Sequence, residues 1–310
     1  MAPQIDHLGV HESVSAVFPP ATLVDALADL EPTVSAIDDA DIADVDAVVT
    51  FAHREAFLDH VEWIHSIQAG YDRFPLADLE REGVALTNST GIHGESVGET
   101  VVGQMLSLSR RLHTYVSAQD EHAWDRADWD EAFTLFSEPV TVVGLGTLGQ
   151  GVARRAAGMD MAVTGVRRTP ARVPHVREVH PPDALHEAIA DARFVVVTVP
   201  LTEETEGMFG PAEFEAMRED AFLVNVARGD VVDQDALLEA LEGDEIAGAA
   251  LDVFEEEPLP ADSPLWDTED VLITPHVAAM KRDYYADVAD LVRESVRLIG
   301  EGADPVNRVV

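Results

Sequence analysis

The sequence predicts an α/β protein built from two parallel sheets, each covered by helices on both faces. Short, continuously apolar segments alternate with longer amphipathic ones along the 310 residues, which is the pattern of parallel sheets buried on both faces. The alternation occurs twice, in roughly the first hundred residues and again from about residue 140, with a polar segment between the two. A chain of this length also fits two domains better than one.

In the first part of the chain, runs of apolar and β-branched residues predict strands at 47–51, 63–68 and 84–88. Over residues 95–117, apolar side chains recur at three- and four-residue intervals and predict one long helix. Residues 120–131 are polar and acidic, carry Trp124 and Trp129, and are predicted to form a connector.

The second alternation predicts six strands, at residues 140–143, 161–166, 194–199, 221–226, 246–253 and 271–274. Helices are predicted between them, for example at 147–158, 183–192 and 234–243, and a last amphipathic helix at about 282–301. Six strands that alternate with helices are the pattern of a doubly wound, dinucleotide-binding Rossmann domain.

The composition is strongly acidic, because 59 acidic residues against 20 basic ones give a formal net charge of −39. Such a surface repels nucleic-acid phosphates and anionic lipids, so we expect neither nucleic acid nor a membrane as a partner. Lys281 is the only lysine. Many carboxylates with almost no lysine favour a protein adapted to concentrated salt, which screens carboxylate repulsion. The alternative is an ordinary acidic cytosolic protein.

The chain contains no cysteine, which excludes disulfides, cysteine-ligated metals and thiol nucleophiles. No apolar stretch reaches the roughly 18 residues of a membrane span, and residues 1–11 lack the basic and apolar segments of a secretion signal. We therefore expect a cytoplasmic protein. The HExxH and EF-hand patterns are absent, so we expect no metal site.

A glycine-rich motif follows the first strand of the second alternation. The peptide VTVVGLGTLG is a G-x-G-x-x-G that directly follows a strand and opens a helix. Gly144 permits the tight turn, Gly146 lets the backbone approach a pyrophosphate, and Gly149 lets the helix pack on the strand. The helix N-terminus at Thr147 and Leu148 offers free amides to the anion. These flanking elements favour a dinucleotide site over a glycine-rich turn that binds nothing.

The next predicted strand ends in two arginines. In NAD-binding domains this strand ends in an acidic residue that binds the ribose hydroxyls, but here Arg167 and Arg168 occupy the place and no acid is present. A guanidinium group matches the geometry of a 2′-phosphate. We therefore predict NADP(H) as the preferred cofactor, with NAD(H) also usable. A solvated basic turn is the alternative.

Three polar residues follow successive strands at the carboxyl edge of the same sheet, where open α/β sheets hold their active sites. Arg228, Glu257 and His276 come after the fourth, fifth and sixth predicted strands. An arginine that binds a carboxylate, a histidine that transfers a proton and a carboxylate that holds the imidazole together indicate a 2-keto acid reductase. Taken singly, each could be an ordinary salt-bridge or loop residue.

In combination, these motifs resemble the D-isomer-specific 2-hydroxyacid dehydrogenases over essentially the whole chain. The resemblance rests on the glycine motif and on the peptides VPLT, NVARG, DVFEEEPL and PH that begin at residues 199, 225, 252 and 275. The family implies a usually homodimeric enzyme that reversibly reduces 2-keto acids to D-2-hydroxy acids. With its acidic composition, the chain resembles a halophilic archaeal member.

The resemblance also implies roles for individual residues. Arg228 would bind the substrate carboxylate and carbonyl, His276 would be the acid/base, and Glu257 would pair with it. The backbone amides of Ala69 and Gly70, within the peptide QAGYD, would meet the substrate carboxylate. Further cofactor contacts would come from Val199, Pro200, Thr205, Ala227 and Asp252, the last of which would hold the nicotinamide carboxamide.

The family further implies a flavodoxin-like substrate domain, formed by residues 1–96 and 281–310, into which a Rossmann domain of residues 97–280 is inserted. Hinges would lie near 95–98 and 277–281, and the dimer contact would involve the helix from Glu95 and the connector with Trp124. Two alternatives remain. One is a formate or phosphite dehydrogenase on the same fold, although formate enzymes carry a glutamine where Glu257 stands. The other is an NAD(H)-sensing, corepressor-like binding protein.

Overall fold

The computed structural model describes residues 5–310. The predicted absence of a secretion signal concerns residues 1–11, and the first four of these lie outside the described residues. The chain divides into two compact units. One contains the N-terminal residues up to Ile92 together with Met280–Val310, and the other contains His93–Ala279. The boundaries predicted from the sequence are 96/97 and 280/281.

The first unit contains a five-stranded parallel sheet. Its elements before the chain leaves it are β1 (His7–His11), α1 (Pro20–Ala26), β2 (Thr33–Ile37), β3 (Ala47–Thr50), α2 (Ala56–His60), β4 (Trp63–Ser66), α3 (Leu76–Glu82) and β5 (Ala85–Asn88). The strand order is β2-β1-β3-β4-β5 with every pair parallel, which is the flavodoxin-like order. The predicted fold class of this unit is confirmed.

Two of these strands are absent from the sequence prediction. β1 reads HLGVH and β2 reads TVSAI, so neither is a continuous apolar run. β1 nevertheless pairs with strands on both sides and is almost entirely buried. Its place in the middle of the sheet follows from the packing of Leu8 and Val10 against the rest of the unit, which the local sequence does not reveal.

The second unit contains a seven-stranded parallel sheet. Its elements are α4 (Gly94–Ser109), α5 (Leu112–Asp120), β6 (Pro139–Val143), α6 (Thr147–Gly158), β7 (Ala162–Val166), β8 (Glu178–His180), α7 (Leu185–Ile189), β9 (Phe194–Val197), α8 (Pro211–Ala216), β10 (Phe222–Asn225), α9 (Gln234–Glu242), β11 (Gly248–Leu251) and β12 (Val271–Ile273). The order is β12-β11-β10-β9-β6-β7-β8. This is the Rossmann arrangement with β12 added beyond β11, and it confirms the predicted class.

The prediction of six strands here is one too few, because β8 is a short edge strand of three residues, two of them a glutamate and a histidine. The prediction of one helix over 95–117 is also wrong. α4 ends at Ser109 and α5 begins at Leu112, because Arg111 between them adopts a left-handed conformation with φ of 55°. Its guanidinium forms an ion pair with Asp270, in the loop before β12.

The chain returns to the first unit and ends in α10 (Tyr284–Gly300). Val288, Val292 and Ile299 on its inner face join the core of the five-stranded sheet. The last residues then run antiparallel beside β5, with an isolated bridge between Thr87 and Arg308. Among residues 5–310, no helix has both the length and the apolar character needed to cross a bilayer.

Candidate active site

The glycine motif forms a cradle between β6 and α6. Gly144 adopts a φ of +97°, and a Cβ on Gly149 would lie 1.8 Å from the Gly144 carbonyl oxygen, so neither position accepts a side chain without strain. Around Gly146, by contrast, a Cβ would meet no atom within 4 Å. α6 starts directly after it, and no side chain caps the helix. This open space beside the free amides of a helix N-terminus fits a pyrophosphate group.

The two arginines at the end of β7 lie where the sequence places them. The backbone amide of Arg167 donates to the carbonyl of His180 on β8 (3.0 Å), which fixes the turn. Arg167 is half-buried and Arg168 is exposed. Among the described residues, neither guanidinium forms an ion pair, although most other arginines of this acidic chain do.

The predicted contacts near β9 also lie beside the glycine cradle. A Cβ on Gly144 would approach the Val199 amide nitrogen to 2.9 Å, so Val199 packs directly against the first glycine. The hydroxyl of Thr205 donates to the carbonyl of Pro200 (2.6 Å) and accepts from the amide of Thr202 (2.8 Å). Thr205 therefore shapes the turn that carries Pro200.

Arg228 stands just after the carboxyl end of β10, and Asn225 holds the turn that carries it. The Asn225 side chain accepts from the Ala227 amide (3.0 Å) and donates to the Arg228 carbonyl (2.9 Å). The half-buried Arg228 donates from Nη1 to the Ala227 carbonyl (2.7 Å). The next residue, Gly229, touches the backbone of Phe254 so closely that a Cβ would lie 1.9 Å from its carbonyl carbon. This role of Asn225 is not predicted from the sequence.

Glu257 and His276 form the pair that the sequence predicts. The imidazole Nδ1 of His276 lies 2.8 Å from Oε2 of Glu257, while Oε1 of the glutamate accepts from the Phe254 amide (3.3 Å). The pair is accessible, with side-chain exposures of 36% for the histidine and 27% for the glutamate. Nε2 of His276 forms no hydrogen bond with any described residue, so this nitrogen is available to exchange a proton with a bound molecule.

Asp252 supports the segment that carries His276. Its carboxylate is buried, at 1% exposure, and accepts from the hydroxyl of Thr274 (2.6 Å) and the amides of Val277 (3.0 Å) and Ala278 (2.9 Å). Its carbonyl accepts from the amide of His276 (2.8 Å). His276 has a left-handed φ of 52°. The hydrogen bonds of Asp252 to residues on both sides of it hold the backbone in this conformation, and this conformation sets the direction of the imidazole. The nicotinamide contact of Asp252 stays a prediction.

Ala69 and Gly70 lie in the first unit, after β4. Neither of their amides donates a hydrogen bond to any described residue.

The strand before this loop, β4, carries the fully buried His65. Its ring nitrogens lie 2.9 Å from the Thr87 hydroxyl and 3.1 Å from the Ser89 hydroxyl. Burial lowers the pKa of His65 to about 3, so the imidazole is neutral at ordinary pH and acts as a structural link.

The described part of the chain, residues 5–310, brings no three His, Asp or Glu side chains together in a way that could hold a metal ion. A Rossmann sheet, a pyrophosphate cradle and a histidine–glutamate pair at the carboxyl edge of that sheet define an NAD(P)-dependent dehydrogenase.

Comparison with known proteins identifies the family. Residues 102–278 match the family model described as "D-isomer specific 2-hydroxyacid dehydrogenase, NAD binding domain", and the chain belongs to this family. A glyoxylate reductase of Korarchaeum cryptofilum is 34% identical over 247 residues, which cover 77% of this chain and 73% of that protein.

Solved structures show the same architecture over nearly the whole chain. A D-isomer specific 2-hydroxyacid dehydrogenase family protein from Aeromonas salmonicida is 30% identical, with a TM-score of 0.85 and coverage of 98% of each chain. An NADPH-dependent glyoxylate/hydroxypyruvate reductase from Sinorhizobium meliloti, solved with NADP and sulfate, is 26% identical, with a TM-score of 0.82 and the same coverage.

Proposed function

We propose that this protein reduces a small 2-keto acid of the glyoxylate or hydroxypyruvate type to the D-2-hydroxy acid, reversibly, and prefers NADPH to NADH. The observation that carries the proposal is the hydrogen-bonded pair of His276 and Glu257, which leaves Nε2 of the imidazole available. Arg228 follows a strand of the same sheet and belongs to the same unit. The reductase names of the relatives from Korarchaeum cryptofilum and Sinorhizobium meliloti support the substrate class.

In this reaction NADPH, when bound, supplies the hydride that reduces C2 of the keto acid. The Arg228 guanidinium binds the carboxylate and stabilises the negative charge that develops on the carbonyl oxygen. His276 donates a proton from Nε2 to that oxygen, so the product is a neutral hydroxyl group. The Glu257 carboxylate orients the ring through Nδ1 and stabilises the imidazolium electrostatically. In the oxidation direction, neutral His276 accepts the same proton.

The preference for NADPH is supported by the two unpaired guanidinium groups of Arg167 and Arg168 at the end of β7. In a chain with a net charge of −39, a 2′-phosphate would be repelled without local positive charge, whereas the ribose hydroxyls of NADH carry no charge. The NADP bound to the Sinorhizobium meliloti relative is consistent with this assignment. NADH remains a usable cofactor, because concentrated salt weakens exposed charge pairs.

The two units have separate roles in this proposal. The unit of His93–Ala279 binds the cofactor, and the other unit contributes the amides of Ala69 and Gly70 to the substrate.

The near absence of lysine supports adaptation to concentrated salt, and a cytoplasmic location stays a prediction. A homodimer is supported by exposed apolar side chains on α5 and the connector, among them Val116, Trp124 and Trp129 at 59%, 89% and 93% exposure.

The test is a steady-state assay of NADPH oxidation with glyoxylate, hydroxypyruvate, pyruvate and larger 2-keto acids, followed by chiral analysis of the product. We expect His276→Ala to lower kcat by roughly 10²–10⁴, the usual size of acid/base catalysis. The control is His186→Ala, because His186 forms a similar 2.8 Å pair with Glu213 elsewhere in the same unit. Its activity should equal that of the wild type.

Other outcomes of this assay decide between the candidate functions. NADPH binding with no turnover of any 2-keto acid would favour the corepressor-like alternative. Formate or phosphite oxidation would favour the other enzyme class. A His276→Ala variant that retains most of its kcat would remove this residue from the mechanism.

A further inference from the structure

The loop after β4 is held through its carbonyl groups. The carbonyl of Ile67 accepts from the hydroxyl of Tyr284, that of Gln68 accepts from the amide of Ser89 (3.0 Å), and that of Ala69 accepts from Nδ2 of Asn88 (2.6 Å). Three successive carbonyls are therefore turned toward the body of the first unit.

This anchoring determines where the loop amides point. In a trans peptide, the carbonyl and the following N–H lie on opposite sides of one planar group. When Ser89 holds the Gln68 carbonyl, the Ala69 amide must face away from it, and when Asn88 holds the Ala69 carbonyl, the Gly70 amide does the same. Consecutive amides that are free of protein acceptors form an anion-binding surface.

The two side-chain donors are themselves fixed. Asn88 is buried, and its Oδ1 accepts from the Thr90 amide (3.1 Å), which orients Nδ2 toward the loop. Tyr284 is the first residue of α10, is 6% exposed and packs on Phe18 with ring centroids 6.1 Å apart. Burial raises the pKa of its phenol above the ordinary value, so the hydroxyl keeps the proton that it donates.

We propose that Asn88 and Tyr284 are positioning residues for the substrate carboxylate, which the amides of Ala69 and Gly70 bind. Asn88 fixes the peptide group that carries the Gly70 amide, and Tyr284 fixes the peptide group between Ile67 and Gln68, from which the loop starts. The inference rests on the proposed function and assigns it two further residues that contact neither substrate nor cofactor. Tyr284 directly follows the segment by which the chain re-enters this unit, so the anchor joins the first turn of α10 to the base of the loop.

The test compares Tyr284→Phe and Asn88→Asp with the control Tyr285→Phe. Tyr285 is the adjacent tyrosine of α10, and its hydroxyl forms no hydrogen bond with any described residue. Each variant is assayed for KM and kcat with glyoxylate, for the dissociation constant of oxamate by calorimetry in the presence of NADP, for NADPH affinity by fluorescence, and for Tm.

We expect Tyr284→Phe to raise KM for glyoxylate and the dissociation constant of oxamate roughly three- to tenfold, the effect of one net hydrogen bond. Asn88→Asp should raise both further, because a carboxylate oxygen then faces the Ala69 carbonyl. In both variants kcat and NADPH affinity should change less than twofold or so. A loss of stability alone would lower Tm without this selective effect on KM and oxamate binding.

Two results would overturn the inference. One is that both variants bind oxamate and glyoxylate as the wild type does, and the other is that Tyr285→Phe weakens binding equally. The proposed reaction fails separately if the wild type binds oxamate but reduces no 2-keto acid, and weaker oxamate binding by the variants would still support the anchoring. A wild type that binds neither compound would contradict both proposals.

Discussion

The contact between Gly229 and the backbone of Phe254 gives a sharp prediction about the active site. A Cβ at position 229 would lie 1.9 Å from the Phe254 carbonyl carbon, 2.1 Å from its oxygen and 2.2 Å from the Glu255 amide nitrogen. Ordinary contact begins near 3.4 Å, so Gly229→Ala must separate the two backbone segments by about 1.5 Å. One of these segments carries Arg228 and the other carries Glu257.

We expect a loss of kcat/KM of roughly 10²-fold for Gly229→Ala, because a displacement of about 1 Å in a reacting arrangement costs that much. The overpacking should also lower the free energy of unfolding by about 1–3 kcal/mol. NADPH affinity should fall much less than kcat/KM, because the glycine cradle follows a different strand, β6, and only the predicted contacts of Ala227 and Asp252 adjoin the displaced segments. The assay is steady-state kinetics well below Tm, with circular dichroism to verify the fold.

The matched control for this experiment is Gly103→Ala. Gly103 lies within α4 of the same unit, and a Cβ there meets no atom within 4 Å. This variant should keep the wild-type kcat/KM and gain up to about 1 kcal/mol in stability from helix propensity. A Gly229→Ala variant with kcat/KM within about twofold of the wild type would refute the reasoning, because the contact would then not determine the relative positions of Arg228 and Glu257.

Three further predictions follow from the structure. Arg167→Asp combined with Arg168→Ala should invert the ratio of kcat/KM for NADPH and NADH at one fixed salt concentration, whereas Arg126→Ala, which removes an exposed charge from the connector, should leave it unchanged. His65 has a pKa of about 3 in the folded protein, below its ordinary 6.5, so acid protonates the unfolded chain first and the folded protein loses about 2 kcal/mol between about pH 7 and pH 5. Chemical unfolding of His65→Gln should show a shallower pH dependence over this range, and an identical slope would contradict the buried, neutral imidazole. Tm should rise steeply between roughly 0.1 M and 3 M KCl as carboxylate repulsion is screened, and a constant Tm would argue against salt adaptation.

The features that the sequence determined by itself are those with a local physical cause. Continuous apolar runs predicted all the central strands of the second unit, because a parallel strand buried on both faces has no polar side. Gly144, Gly146 and Gly149 were predicted from their spacing, because each meets a steric requirement within one turn of chain. The residue types that follow β10, β11 and β12 likewise indicated Arg228, Glu257 and His276.

The tertiary structure decided the features that depend on residues distant in sequence. Arg111, at which the helix breaks, pairs with Asp270, 159 residues away, and the hydroxyl of Tyr284 meets Ile67 across 217 residues. The edge strand β8 is three residues long and reads EVH, so it forms no apolar run, and its pairing with β7 is visible only in the folded sheet. The chemistry of His276 shows the same division. Its residue type is readable from the sequence, but its orientation is set by Asp252 and Glu257, because hydrogen bonds that close long loops are specified only by the folded arrangement of the sheet.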